Sequence, residues 1–407
     1  MKRFLFFLRR VYQFLKVNGF KAAGNYVEKI ATKIDVFKFY GYVVDETKVE
    51  FDNQAYEAHK NDEVKILNWV IPEMGVGSGG HINIFRFISN LENMGFHSRI
   101  YLHESINIKD NETLNNFLKQ HFSILDSRVE AYCDISYMQF AHATIATGWQ
   151  TAYPVKNFNN TISKFYFVQD FEPYFYAQGS EYIFAENTYK FGFRGITAGD
   201  WLKDKLNKEY GMQTESFGFS YDKEHYVPKQ KESDDNTVFF YARPVTPRRD
   251  FELGLLALNE LSKRVDNLTV VFAGWDVGNY EIPFKHKNLG ILPLEKLSDL
   301  YSQCDMCFII SNTNLSLLPL EVMASNSVAV CSKGENSSWL VNENNAIMVD
   351  YDPVLMAEKM AYYLKHKDEL QKIRQKGLKF AMSTSWEEEA KKVRDALLKG
   401  IEADDKK

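Results

Sequence analysis

Apolar residues along this chain come in short runs separated by helical patterns. Val64–Val70, Ser98–Leu102, Ala143–Trp149, Phe165–Gln169 and Gly195–Ala198 read as buried strands. Between them, His81–Met94 and stretches near 181–190 and 200–210 read as helices. The polar stretch Pro228–Asn236 breaks this rhythm and reads as a linker. The alternation then restarts, with strands at Thr237–Ala242, Thr269–Ala273, Met306–Ile310, Val328–Ser332 and Ala346–Asp350. Helices are expected near 250–264, 294–303, 318–325 and 353–366. Strands alternating with helices predict βαβ units and parallel sheets. The expected fold class is therefore α/β, with two doubly wound, Rossmann-like domains facing a cleft behind a helical N-terminal prefix. The prefix is placed at 1–60, the first domain at 61–229 and the second at 230–384. A last helix at 385–407 belongs to the second half or packs back on the first.

Composition narrows the function classes. A chain of 407 residues, 45% hydrophobic and 25% charged, is an ordinary globular protein long enough for two cores. Four cysteines make no disulfide scaffold, which points to a reducing, cytoplasmic setting. A net charge of −5 argues against nucleic acid as a partner. Residues 1–35 depart from this balance, with a net of +6 interleaved with Phe4, Phe7, Leu8, Val11, Tyr12, Phe14 and Leu15. The run Phe4–Leu8 is too short to span a bilayer. Such a segment either lies on an anionic membrane surface or packs as a helix with its charges in water. The first alternative makes the protein peripheral on the inner face of the membrane.

Candidate chemistry clusters where strands end. Gly75-Val76-Gly77-Ser78-Gly79-Gly80 fits G-x-G-x-x-G between a strand and a helix, so Gly79 and Gly80 let a ligand approach the backbone. A sugar acceptor, a diphosphate or a dinucleotide would suit it, and for a dinucleotide Glu104 is the ribose candidate. In the second half, Phe240–Asp250 sets Arg243, Arg248 and Arg249 at a strand end and the next helix start, an anion site. Glu321 stands alone on the apolar helix start Leu317–Ser325, where sugar hydroxyls would satisfy it. Twelve of the 32 residues Lys164–Gly195 are aromatic against a chain average of 15%, and sugar rings stack on aromatic faces. Gln169-Asp170-Phe171-Glu172 follows a strand within that block. Asp170 or Glu172 would orient or deprotonate an acceptor hydroxyl, with His81 as a further acid–base candidate. Gln169, Phe171 and Tyr174 are acceptor-binding candidates. Cys304-x-x-Cys307 has no second pair, and Asp350-Tyr351-Asp352 precedes Pro353 as a helix cap would. With arginines available to neutralise charge, no metal or other cofactor is expected.

The second half carries a resemblance. The strand followed by Arg243-Pro244, Pro247-Arg248-Arg249, then Phe272-Ala273-Gly274, Asn288-Leu289-Gly290, Cys304-Asp305 and Leu318–Ala324 resembles the donor half of family 4 retaining glycosyltransferases of the GT-B fold. Within that family it is most similar to the WsaF-type rhamnosyltransferases that build bacterial S-layer polyrhamnan. The resemblance spans about residues 64–385, and Lys164–Arg194 shares it. It implies a dTDP-L-rhamnose donor and a growing rhamnan-type glycan acceptor, lipid-linked in the membrane setting, with retention at the anomeric carbon. It also implies that Arg243 with Arg248 or Arg249 holds the diphosphate and Glu321 the ribose. The backbone around Leu317 and Leu318 would meet the phosphates, and Leu292 and Leu294 would flank the base. The family's Glu-x₇-Glu pair is interrupted, because Thr313 stands eight residues before Glu321 and takes the place beside the donor sugar. A carboxylate from the acceptor side is therefore expected. The alternatives are a non-catalytic carbohydrate- or nucleotide-binding relative and a nicotinamide-dependent oxidoreductase.

Overall fold

The computed structural model describes residues 35–406. The basic segment therefore lies, but for Asp35, outside the described residues. Among the described residues, 35–46 with Gly278–Glu281 form a unit of their own. In it the Asp35 carboxylate caps the helix Val36–Tyr40 by accepting from the Phe37 and Lys38 N–H groups.

The larger unit contains two sheets. The first comprises β1 (Lys65–Pro72), β2 (Phe96–His103), β3 (Glu130–Tyr132), β4 (Ala141–Ala146), β5 (Thr161–Val168), β6 (Arg194–Ala198) and β7 (Gln213–Phe217), in the order β3-β2-β1-β4-β5-β6-β7. The second comprises β8 (Thr237–Tyr241), β9 (Thr269–Ala273), β10 (His286–Asn288), β11 (Met306–Ile309), β12 (Val328–Ser332) and β13 (Ile347–Val349), in the order β10-β9-β8-β11-β12-β13. All pairings are parallel. In each sheet the winding reverses next to its first strand, opening a crevice at the carboxyl ends of β1 and β4, and of β8 and β11. Helices cover both faces, so the central strands are largely apolar: Leu67, Trp69, Val70 and Ile71 in β1, and Met306–Ile309 in β11, are fully buried. Packing is close. At Gly254 of the helix Phe251–Ser262, a Cβ would stand 2.1 Å from the Phe240 ring on β8.

The halves are joined away from the strand ends as well as at them. The helix Trp386–Asp405 follows the second sheet's helix Lys367–Ser383 but packs on the first sheet. There Arg194 forms a two-pronged pair with Asp404 at 2.8 and 2.7 Å, and Ser163 donates to the same carboxylate. At its start Trp386 lies 4.4 Å beneath the Arg86 guanidinium of the helix Gly79–Asn93. Trp339 from the second half sits on Gly199 of the first, where φ is +88° and a Cβ would fall 2.3 Å from the indole. Only glycine fits there.

The run Ala143–Trp149, expected as one strand, divides. β4 stops at Ala146, and Trp149–Asn157 is a helix that buries Trp149, Ala152, Tyr153 and Val155. Gly148 makes the break, and the Thr151 hydroxyl accepts from the Thr147 and Gly148 N–H groups. β3, β7 and β10 are short strands of mixed polarity, so the periodicity did not expose them. Among the described residues no helix is long and apolar enough to cross a membrane.

Candidate active site between the two sheets

The loops after β1, β4, β5, β8 and β11 converge on one cavity of about 370 Å³. Its first-half wall is built from the glycine loop, Thr147–Gln150 and the turn after β5; its second-half wall carries Arg248, Arg249, Asn314, Ser316 and Leu317.

Asp170 is the centre of the contact between these walls. The Asn314 N–H donates to both of its carboxylate oxygens, at 3.2 and 3.3 Å, and the Thr313 hydroxyl also hydrogen-bonds to it. The Asn314 side chain donates to the Gln169 carbonyl at 2.9 Å. Gln169 is held in turn by Asn83, at 2.9 Å, and by its own bond to the Gly80 carbonyl, at 3.1 Å. Burial pushes the Asp170 carboxyl above its usual range, against the pull of Thr313, Arg248, Asn314 and Arg249.

The two arginines share an unusual condition. Pro247–Arg249 is a single 3₁₀ turn that aims both side chains into the cavity. The Arg248 guanidinium stacks on Phe175 at 4.2 Å, and that of Arg249 lies 5.9 Å from the Tyr241 ring centre. Arg248 Nε and Arg249 Nη1 are buried with no hydrogen-bond partner among the described residues. Burial lowers the pKa of each. Two adjacent cations with unused donors make an anion site.

Glu172 has a different occupation. It accepts from the Trp149 N–H and the Tyr166 hydroxyl, both at 2.8 Å, while its own N–H takes the Tyr189 hydroxyl at 3.2 Å. It thus caps the helix Trp149–Asn157, and burial pushes its carboxyl up to about 7. It lines the cavity with both oxygens already engaged.

The remaining candidates divide by position. Gly79, Gly80, Gln169 and Leu317 line the cavity, and Thr313 lies directly behind it. His81 lies beside it, with its ring nitrogens on Ser78 Oγ and the Pro72 carbonyl; burial lowers the pKa of the imidazole. Phe171 is only 1% exposed and stacks on Tyr189, so its ring offers no free face; Tyr174 packs edge-on against it and is exposed. Arg243 reaches the Gly274 carbonyl at 3.3 Å and does not line the cavity. Leu292 and Leu294 follow β10, away from the cavity walls. Leu318 is buried. Glu321 bonds to Tyr226 and faces Arg86, and burial raises it to about 7. Asp352 caps the helix Pro353–Lys365 by accepting from Val354 and Leu355. Asn83, Trp149, Phe175, Tyr176 and Asn314 line the cavity without having been singled out in the sequence. The aromatic block Lys164–Gly195 contains Phe175 and Tyr176, and the polar run Ser311–Asn314 after an apolar strand points to Asn314.

Comparison with known proteins bears on the fold. Residues 236–361 match the family described as "WsaF, C-terminal domain". The O-antigen biosynthesis protein RfbC of Myxococcus xanthus is 28% identical over 357 residues, which cover 82% of this chain and 27% of that protein. The chain thus spans about a quarter of that relative's length. Among solved structures, Anabaena HepE in complex with UDP and glucose superposes with a TM-score of 0.62 at 12% identity, covering 82% of this chain and all of that one. A variant of S. aureus TarM in complex with fondaparinux, α-GlcNAc-glycerol and UDP gives 0.63 at 10% identity, with the same coverage. The fold is that of the GT-B glycosyltransferases. The specific match of the second half is to the WsaF C-terminal domain.

Proposed function

We propose that this chain is a glycosyltransferase of glycan biosynthesis, moving L-rhamnose from dTDP-L-rhamnose to a growing rhamnan-type acceptor. One observation carries the reading: two half-buried arginines, each with one buried and unused guanidinium nitrogen, meet a hydrogen-bonded carboxylate from the opposite sheet in a single cavity. The match to the WsaF C-terminal domain supports the donor assignment.

Arg248 and Arg249 hold the donor diphosphate. As the bond from the anomeric carbon to the phosphate oxygen breaks, they stabilise the charge that develops on the leaving group. No metal is needed for that step. Asp170 holds the acceptor hydroxyl and takes its proton as the new glycosidic bond forms. Thr313 and Asn314 fix the carboxylate in place. Gly79, Gly80 and Gln169 shape the acceptor side. The family resemblance supports retention at the anomeric carbon, and the +6 charge of residues 1–35 supports attachment to an anionic membrane, where a lipid-linked acceptor would sit.

The test is transfer to a synthetic rhamnoside in EDTA, with the nucleotide varied. The reading expects turnover with dTDP-rhamnose that chelator leaves intact. Loss in EDTA with recovery in Mg²⁺ or Mn²⁺ overturns the metal-free step. Binding of dTDP without turnover favours a non-catalytic relative.

A further inference from the structure

The turn after β5 reaches across the cavity to the other half, and the contact it makes there is aromatic. Phe175 ends the 3₁₀ turn Glu172–Phe175 of the first half, and its ring lies 4.2 Å from the guanidinium carbon of Arg248 in the second. The turn that carries it is firmly held. Glu172 is anchored by Trp149 and Tyr166, and the next residue, Tyr176, accepts from the Trp149 indole at 3.0 Å.

The geometry points to Phe175 as the residue that positions Arg248 for the donor diphosphate, an inference that rests on the donor assignment above. A carboxylate within salt-bridge distance would hold an arginine by occupying its N–H groups. Among the described residues Arg248 has no such ion pair. An aromatic ring instead holds the guanidinium by its flat face and leaves the N–H edges free for an anion. The arrangement fixes the direction of the cation without using its donors. It also means that the acceptor half supplies part of the donor site. Phe175 acts through Arg248 and touches no reacting atom in this scheme, so it is a positioning residue.

The experiment is a double-mutant cycle read by calorimetry with dTDP and with inorganic pyrophosphate. The variants are Phe175→Leu, Phe175→Tyr, Arg248→Ala and the pair Phe175→Leu/Arg248→Ala. Leucine keeps apolar volume at this half-buried site but has no π face. Phe175→Leu should weaken binding of both probes by between about 2-fold and 30-fold, the range of a cation–π contact. Phe175→Tyr should restore wild-type affinity. In the Arg248→Ala background, Phe175→Leu should have no further effect. In turnover, Phe175→Leu should raise the donor KM while kcat at saturating donor stays near wild type.

Wild-type affinity in Phe175→Leu, or a full further loss in the double variant, overturns the inference. Failure of the wild-type protein to bind either probe overturns the donor assignment instead.

Discussion

Arg249 is the residue whose replacement separates binding from stability most sharply. Its Nη1 is buried and unpartnered, which costs about 1–3 kcal/mol in the free protein. Its ring contact with Tyr241, at 5.9 Å, is at the outer limit of a cation–π interaction and returns only about 0.5 kcal/mol. Arg249→Met keeps the length of the side chain and removes the charge and the orphaned donor. The ligand-free variant should therefore be more stable than wild type, with Tm higher by about 1–3 °C. Binding of a nucleoside diphosphate should move the other way. A charge-assisted hydrogen bond contributes about 1.5–3 kcal/mol, so Kd should rise about 10- to 150-fold. The assay pairs scanning calorimetry of the free protein with titration calorimetry using dTDP. A lower Tm together with unchanged affinity would refute the reasoning, because Arg249 would then be a structural cation.

Three further outcomes follow from the same site. Asp170→Asn should lower turnover by roughly a hundredfold, the scale of lost general-base catalysis, while dTDP binding tightens because a negative charge near Arg248 and Arg249 is gone; normal turnover in that variant would remove Asp170 from the reaction centre. Glu172 is raised from the ordinary carboxyl range to about 7, so its contribution to stability is complete below about pH 4.5 and is lost as pH rises through about 7. Glu172→Gln, which cannot ionise, should flatten part of the fall in Tm between about pH 5 and pH 8, with Glu321 supplying a remainder of the same sign; an identical Tm profile would contradict the buried-carboxyl account. Deleting residues 1–35, which carry a net of +6, should reduce sedimentation with anionic vesicles and leave dTDP binding intact; equal sedimentation would make that segment an ordinary surface element.

The sequence exposed the parts of the site that are local. Arg248 and Arg249 stood out because two prolines fix the turn that carries them at the end of a buried strand. Asp170 stood out because a carboxylate directly after β5 has to emerge at the sheet edge. What joins these residues was not legible. Asn314 and Asp170 lie 144 residues apart and meet only because two independently wound sheets face each other. The bond from Thr313 to Asp170 is of the same kind, so the sequence exposed the lost glutamate without showing where its replacement stands. Glu172 was visible as a cleft carboxylate, yet its commitment to the Trp149 N–H depends on a helix start that the apolar run Ala143–Trp149 concealed. Phe171 and Phe175 are equivalent letters in an aromatic block. Packing alone decides that one is core and the other reaches an arginine.

The most direct test of the central claim is mass spectrometry of a synthetic rhamnoside incubated with the purified full chain, EDTA and a panel of nucleotide-sugars. Extension of the acceptor by deoxyhexose units from dTDP-rhamnose, abolished together with dTDP binding in the Arg248→Ala/Arg249→Ala variant, is the result the account predicts. An unextended acceptor across the panel, or extension that persists undiminished in that variant, would contradict it.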